Sequence, residues 1–198
     1  MNWLAHVYLS RDNINFKLGN LLTDVSRPEH LEVDEADFQA GVQCHYEIDR
    51  FTDSHELVKK CKKVFFPNYR HFSAVLVDIF FDHFLARNWA GYCSVPYRDY
   101  VNEFYLDLKN HSLELHPLSR EFIESIYTYD RLGVYDKISG MEGALERISK
   151  RIRMRTKIDI RDSIKELKDN YESLENDFMI FFPELEKHIQ DCDSLKVS

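Results

Sequence analysis

AVLVDIFFDHFLARNW, residues 74–89, is one of the most apolar runs in a chain of 198 residues, yet Asp78, Asp82 and His83 stand inside it. At about 100° per residue on a helix, Asp78 and Asp82 lie about 40° apart and share a sector with Leu85 and Trp89. Val77, Phe80, Phe81 and Phe84 cover most of the remaining circumference. A helix apolar all round is buried, so this segment predicts the central helix of an all-α core, over about residues 71–89, with two carboxylates turned inward. Carboxylates at that spacing repel each other. Burying them requires a compensating cation: a buried arginine such as Arg50 or Arg87, a lysine, or a divalent metal.

The rest of the chain agrees with this fold class. Gly and Pro are scarce, at 6 and 5 residues, and no strand alternation competes with the helical patterns. Helices are expected at about 34–52, 54–65, 98–112, 119–130 and 141–155, with a break at Pro67 and Asn68. Residues 15–27 read as a short helix or turn ending before Pro28. The clearest period lies at 160–189. There Ile160, Ile164, Leu167, Tyr171, Leu174, Phe178 and Phe181 recur at spacings of four and three, predicting one long amphipathic helix. With 44% hydrophobic residues and no Gly-, Pro- or Ser-rich linker, residues 1–198 read as a single-domain helical bundle.

Composition also narrows function. A formal net charge of −8 gives no general attraction to nucleic acid or anionic membrane. The four cysteines are scattered without a CxxC pair, which fits a reducing, cytoplasmic setting and neither a disulfide framework nor a zinc ribbon. The run at 74–86 is too short and too charged to span a bilayer.

A second polar constellation is QCHYEIDRFTDSHE, residues 43–56. His45, Asp49 and Asp53 stand at i, i+4 and i+8, one stripe of a helix. The stripe is open to two readings, an exposed face or a set of ligands for Mn²⁺, Fe²⁺ or Zn²⁺. Spacing of four lets two ligands of one helix reach one ion. His6 in NWLAH and Asp24 in GNLLTD are isolated polar residues among apolar ones. Each alone fits a hydrogen-bonded core residue as well as a ligand.

Taken together and in order, MNWLAHVYLS (1–10), GNLLTD (19–24), AGVQCHYEIDRFTD (40–53), DIFFDHFLARNW (78–89) and YESLENDFMIFFP (171–183) resemble the motif blocks of the acyl carrier protein phosphodiesterases. The resemblance implies an HD-like, all-helical metal-dependent phosphohydrolase architecture. It also implies removal of 4'-phosphopantetheine from the serine of holo acyl carrier protein, with Mn²⁺ favoured and Mg²⁺ or Fe²⁺ as alternatives. Carried over residue by residue, it assigns His45, Asp49, Asp82 and His83 to the metal and His6, Asp24, Asp53 and Asp78 to catalytic or supporting roles. The order Asp82-His83 reverses the HD order of the wider group, so the equivalence among Asp78, Asp82 and His83 stays open. Between Tyr92 and Ile138 little matches.

Such carrier proteins are small and acidic, so a docking face should be basic. Residues 147–157, RISKRIRMRTK, carry Arg147, Lys150, Arg151, Arg153, Arg155 and Lys157 with no acid among them. Lys59, Lys60, Lys62 and Lys63 form a second basic run. Two other functions remain compatible with the residues: an HD-like phosphohydrolase acting on a nucleotide or another small phosphoester, and a non-catalytic helical binding protein.

Overall fold

The computed structural model describes residues 1–27, 31, 33–111, 114–152 and 158–192, with the backbone alone at 151 and 152. Among these residues the secondary structure is entirely helical. The helices are α1 (Trp3–Tyr8), α2 (Ile14–Leu22), α3 (Ala36–Ser54), α4 (Glu56–Tyr69), α5 (Ser73–Arg87), α6 (Tyr97–Asn110), α7 (Pro117–Thr128), α8 (Ile138–Ile152), α9 (Ser163–Asp169) and α10 (Tyr171–Asp191).

As its sequence predicts, α5 is the hub. Leu76, Val77, Ile79, Phe80, Phe81, Phe84 and Leu85 are buried, and α5 packs against α1, α4, α8 and α10. Phe178 of α10 meets Phe81 and Phe84 at ring separations of 5.3 and 5.9 Å. Phe80 meets Phe65 of α4 at 5.3 Å. These aromatic contacts give the core a defined packing rather than a merely apolar interior.

The carboxylates in this helix are compensated differently from the expectation. Asp82 is fully buried, and its partners are backbone amides. Leu4 N–H donates to Oδ2 at 2.8 Å and Ala5 N–H to Oδ1 at 3.1 Å. These amides lie in the first turn of α1, whose own N-cap residue, Asn2, supplies no side-chain bond. Asp82 therefore caps α1 from 78 residues away, where the helix dipole also favours a negative charge. Burial pushes its pKa up to about 7 against the pull of the two amides. Asp78 sits nearer the surface, 3.3 Å from the Met1 amino group. Arg50, one of the arginines considered as a buried partner, is exposed and pairs with Glu47.

Helices α2 and α3 cross at their glycines. A Cβ at Gly19 would stand 2.0 Å from the Phe38 carbonyl oxygen, and one at Gly41 2.1 Å from that of Phe16. Only residues without a side chain permit that approach.

Two local expectations need correction. The long helix at 160–189 is a 3₁₀ turn at Ile160–Asp162 followed by α9 and α10, separated at Asn170. There the Asn170 amide group and backbone N–H both donate to the Glu166 carbonyl, a local alternative to continuing the helix. The apolar stripe continues across the break, so periodicity alone did not reveal it. Pro67 does not interrupt α4: it falls in the last turn, and the helix ends when Arg70 takes a positive φ of 52°. The six-residue α1 carried no periodic signal, being too short to show one.

Removing the Asp82 carboxylate strands two buried amides. Asp82→Ala should lower the unfolding free energy by about 2–4 kcal/mol in urea titrations. Asp82→Asn, which keeps one acceptor oxygen, should lower it less.

Candidate metal centre

Four segments converge beside α5. Spacing of four on α3 puts His45 and Asp49 on one face, with His45 Nε2 3.1 Å from Asp49 Oδ2. The glycine crossing lays the C-terminal part of α2 against that face, so the Asn20 carbonyl lies 2.8 Å from His45 Nδ1. Asp24, just past the end of α2, places Oδ1 3.1 Å from His45 Nε2. His6, on α1, stacks on His45 with ring centroids 4.3 Å apart and planes 14° from parallel.

The hydrogen bonds fix which ring nitrogens face inward. A backbone carbonyl only accepts, so His45 Nδ1 must carry hydrogen. Asn20 Nδ2 donates to the His6 carbonyl and to Ser10 Oγ, which leaves Asn20 Oδ1 to accept from His6 Nδ1 at 2.8 Å. Both imidazoles are thus held by Nδ1–H with Nε2 aimed at the same place. His6 Nε2 is buried without a hydrogen bond, and the nearest charge, Asp49 Oδ1, lies 3.4 Å away. A lone pair facing a carboxylate is repulsive unless something positive stands between them. Asn20 is the second-layer device that sets this orientation.

The separations suit a cation. Around an ion with bonds of about 2.0–2.2 Å, neighbouring ligand atoms stand about 3.0–3.4 Å apart. The observed edges are 3.1, 3.1 and 3.4 Å. His6, His45 and Asp49 each offer one atom within 4.8 Å of the others, and two imidazoles with a carboxylate suit first-row divalent ions. Asp24 adds a fourth donor, its Oδ1, beside His45. Asp24 and Asp49 are 45% and 38% exposed, so the centre opens to solvent on its carboxylate side.

Charge balance tells the same story. Burial pulls the His45 pKa down, but bonds to Asp24 and Asp49 outweigh it and raise it to about 9. Burial alone would raise Asp24 and Asp49. The histidine contacts reverse this, leaving Asp24 lowered and Asp49 well below the usual carboxylate range. His6 is lowered, chiefly by burial. Ion-free, the centre thus concentrates one proton on His45, where a divalent ion would serve both imidazoles and both carboxylates.

The structure gathers His45 and Asp49 with His6 and Asp24, and it directs the other expected residues elsewhere. Asp78 lies at the margin, sharing the Met1 amino group with Asp49 at 3.3 and 3.5 Å. Asp53 is exposed and bound to Lys62 at 2.7 Å. Asp82 is committed to α1. His83 faces the opposite side of α5, with Nδ1 donating to the Tyr135 carbonyl at 2.7 Å and Nε2 accepting from Tyr171 O–H at 2.8 Å. Asn20 went unrecognised, although it is the second residue of the GNLLTD block.

On the basic face, Arg147 and Lys150 are exposed on α8, Lys150 pairing with Glu146 at 3.0 Å. Arg153, Arg155 and Lys157 lie outside the described residues, as does the side chain of Arg151. In the second basic run, Lys59, Lys60 and Lys62 are paired with Glu56, Asp177 and Asp53. Among the described residues no helix is long and apolar enough to cross a membrane.

Comparison with known proteins finds relatives along most of the chain. The family model described as acyl carrier protein phosphodiesterase matches residues 1–185. A protein of that name from Yersinia enterocolitica is 29% identical over 196 residues, covering 96% of this chain and 98% of the relative. One from Enterobacter sp. (strain 638) is 28% identical over 187 residues, covering 93% and 95%. One from Photorhabdus laumondii is 38% identical over 89 residues, 45% of each chain. No solved structure matches.

His83 has a measurable role apart from the centre. Burial lowers its pKa from the ordinary 6.5. The unfolded chain therefore takes up the proton first, and the stability His83 contributes is present above pH 6.5 and lost as pH falls through the folded value. His83→Gln keeps a donor and an acceptor without that titration. Its unfolding free energy should fall less steeply from pH 7 to pH 5 than that of the unaltered chain, measured by urea denaturation at each pH.

Proposed function

Because this chain belongs to the acyl carrier protein phosphodiesterase family, we propose that it hydrolyses the phosphodiester joining 4'-phosphopantetheine to the serine of holo acyl carrier protein, using a divalent metal held by His6, His45 and Asp49. The products are apo carrier protein and 4'-phosphopantetheine. The substrate follows from the family and from the names of relatives that align along nearly the whole chain. The observation that carries the metal chemistry is the unpartnered Nε2 of His6, locked toward Asp49 beside the inward Nε2 of His45. Nitrogen and oxygen donors accommodate Mn²⁺, with Mg²⁺ and Fe²⁺ as alternatives.

When bound, such an ion supplies Lewis acidity toward the phosphodiester and a nucleophilic water near neutral pH. The chain's own residues do the rest. Asn20 keeps both Nδ1 protons on the outer side, so neither imidazole can turn its proton toward the substrate. Asp24, ionised and half-exposed, stands on the open side as the group that takes a proton from attacking water. The proton that Asp24 takes is the one the serine oxygen needs as it leaves, so the same carboxyl can return it there; Asp78 is a second carboxylate at the rim that tethers solvent. Asp82 acts one step removed, by fixing the helix that carries His6.

The protein part of the substrate needs a surface of its own. Carrier acidity matches the basic face of α8, from which Arg147 and Lys150 project and which leads into Arg151, Arg153, Arg155 and Lys157. Opposed potentials would speed encounter and orient it.

The direct test is mass spectrometry of holo carrier protein incubated with the chain and Mn²⁺. The carrier should lose the phosphopantetheine mass, and a chelator should stop the loss. His45→Ala and Asp49→Ala should lower kcat/KM by at least about 100-fold while keeping the helical circular dichroism signal. An intact holo carrier, with metal bound and both proteins folded, refutes the proposal.

A further inference from the structure

One pair of cations on this acidic protein has no counter-charge. Arg131 follows the end of α7 and lies with its guanidinium 5.8 Å from the ring centroid of Trp3 and 5.8 Å from that of Tyr129. Its Nε donates to the Ser125 carbonyl at 3.2 Å, which fixes the plane and leaves the terminal nitrogens free. Arg147 of α8 is close enough for its charge to act on Arg131, whose pKa is lowered first by burial and then by that neighbour. Among the described residues neither arginine has a carboxylate partner. The nearest acid in sequence, Asp130, is taken by Arg98 at 2.7 Å. Asp130 also holds a positive φ of 49°, so the turn that sets Arg131 on Trp3 is a strained one for a residue with a side chain.

A guanidinium held flat on an aromatic floor without an acid partner offers an oxyanion a planar fork for bidentate bonds. Several features favour an acid on a protein over a small free anion. The floor is aromatic and open, with Tyr129 67% exposed. Four cavities of the fold are lined by other residues. A small anion there would stay largely in water, whereas a protein partner brings the covering area that makes such contacts effective. The location is also specific. Trp3 opens α1, and His6 follows three residues later, about 4.5 Å along the helix axis.

We propose that Arg131, seated against Trp3, grips an acidic side chain of the carrier protein, with Arg147 of α8 adding positive charge to the same face, and so registers the phosphopantetheine-bearing serine against His6 and Asp49. This rests on the carrier-protein reading above and adds Arg131, Trp3 and Tyr129 to it. Arg131 is a positioning residue: it meets the carrier surface, not the reacting phosphorus.

Two readouts test it. In steady-state turnover of holo carrier protein, Arg131→Ala should raise KM about tenfold with kcat within about twofold. High salt should erase most of the difference between variant and unaltered chain. Arg131→Lys keeps the charge but loses the planar fork, so it should fall between them. In a fluorescence-anisotropy titration, apo carrier protein should bind Arg131→Ala and Arg147→Ala about tenfold more weakly than the unaltered chain. Unchanged binding in both variants overturns the proposal whether or not turnover is seen, and so does a fall in kcat with KM unmoved. If the unaltered chain binds carrier through these arginines but never releases phosphopantetheine, the hydrolase reading fails and the docking pair stands.

Discussion

A single carboxylate in an aromatic helix holds the arrangement together. Asp82 lies in the core of α5, yet it is not an isolated buried charge, because both of its oxygens receive amide hydrogens from the first turn of α1. The exchange is reciprocal. The carboxylate gains the donors it would otherwise lose on leaving water, and α1 gains the cap that Asn2 does not provide. Through that contact α5 sets the position of Trp3, of His6 and of everything built on them.

The second constraint is steric. The bare backbones at Gly19 and Gly41 let α2 and α3 approach until a main-chain carbonyl can hold an imidazole. Asn20 then does two jobs from one residue, its carbonyl orienting His45 and its side chain orienting His6. Lone pairs from α1 and α3 and a carboxylate of α3 meet at one point because the outer edge of each ring is already engaged. The proposed metal centre is thus shaped chiefly by hydrogen bonds on the outer edges of its rings.

Much of this was legible in the sequence because it depends on periods. The circumference of α5 and the i, i+4 pairing of His45 with Asp49 are angular facts about a helix, and they hold in the structure. What depended on neighbours was not legible. Asp53 continues the same stripe, but one more turn carries it past the crossing to the exposed end of α3, where Lys62 claims it. Asp82 and His83 are adjacent in sequence and therefore about 100° apart on the helix. One turns to α1, and the other to Tyr135 and Tyr171. Buried polarity was a sound signal that each residue matters, but a cation was only one of the available compensations. Amide groups at a helix terminus were another, and no pattern within residues 74–89 encodes them.

The shortness of α1 has a consequence for how the protein acquires its activity. Six residues cannot hold a helix in water unaided, since nucleation is unfavourable and too few bonds follow to recover it. The segment becomes helical only on a surface where Asp82 already stands, and that surface exists only once α5 has packed. Competence is therefore a late event in folding, and a chain with its core formed but α1 undocked would be compact and inert. Because that one segment carries both His6 and Trp3, the proposed centre and the proposed carrier contact depend on a single docking event.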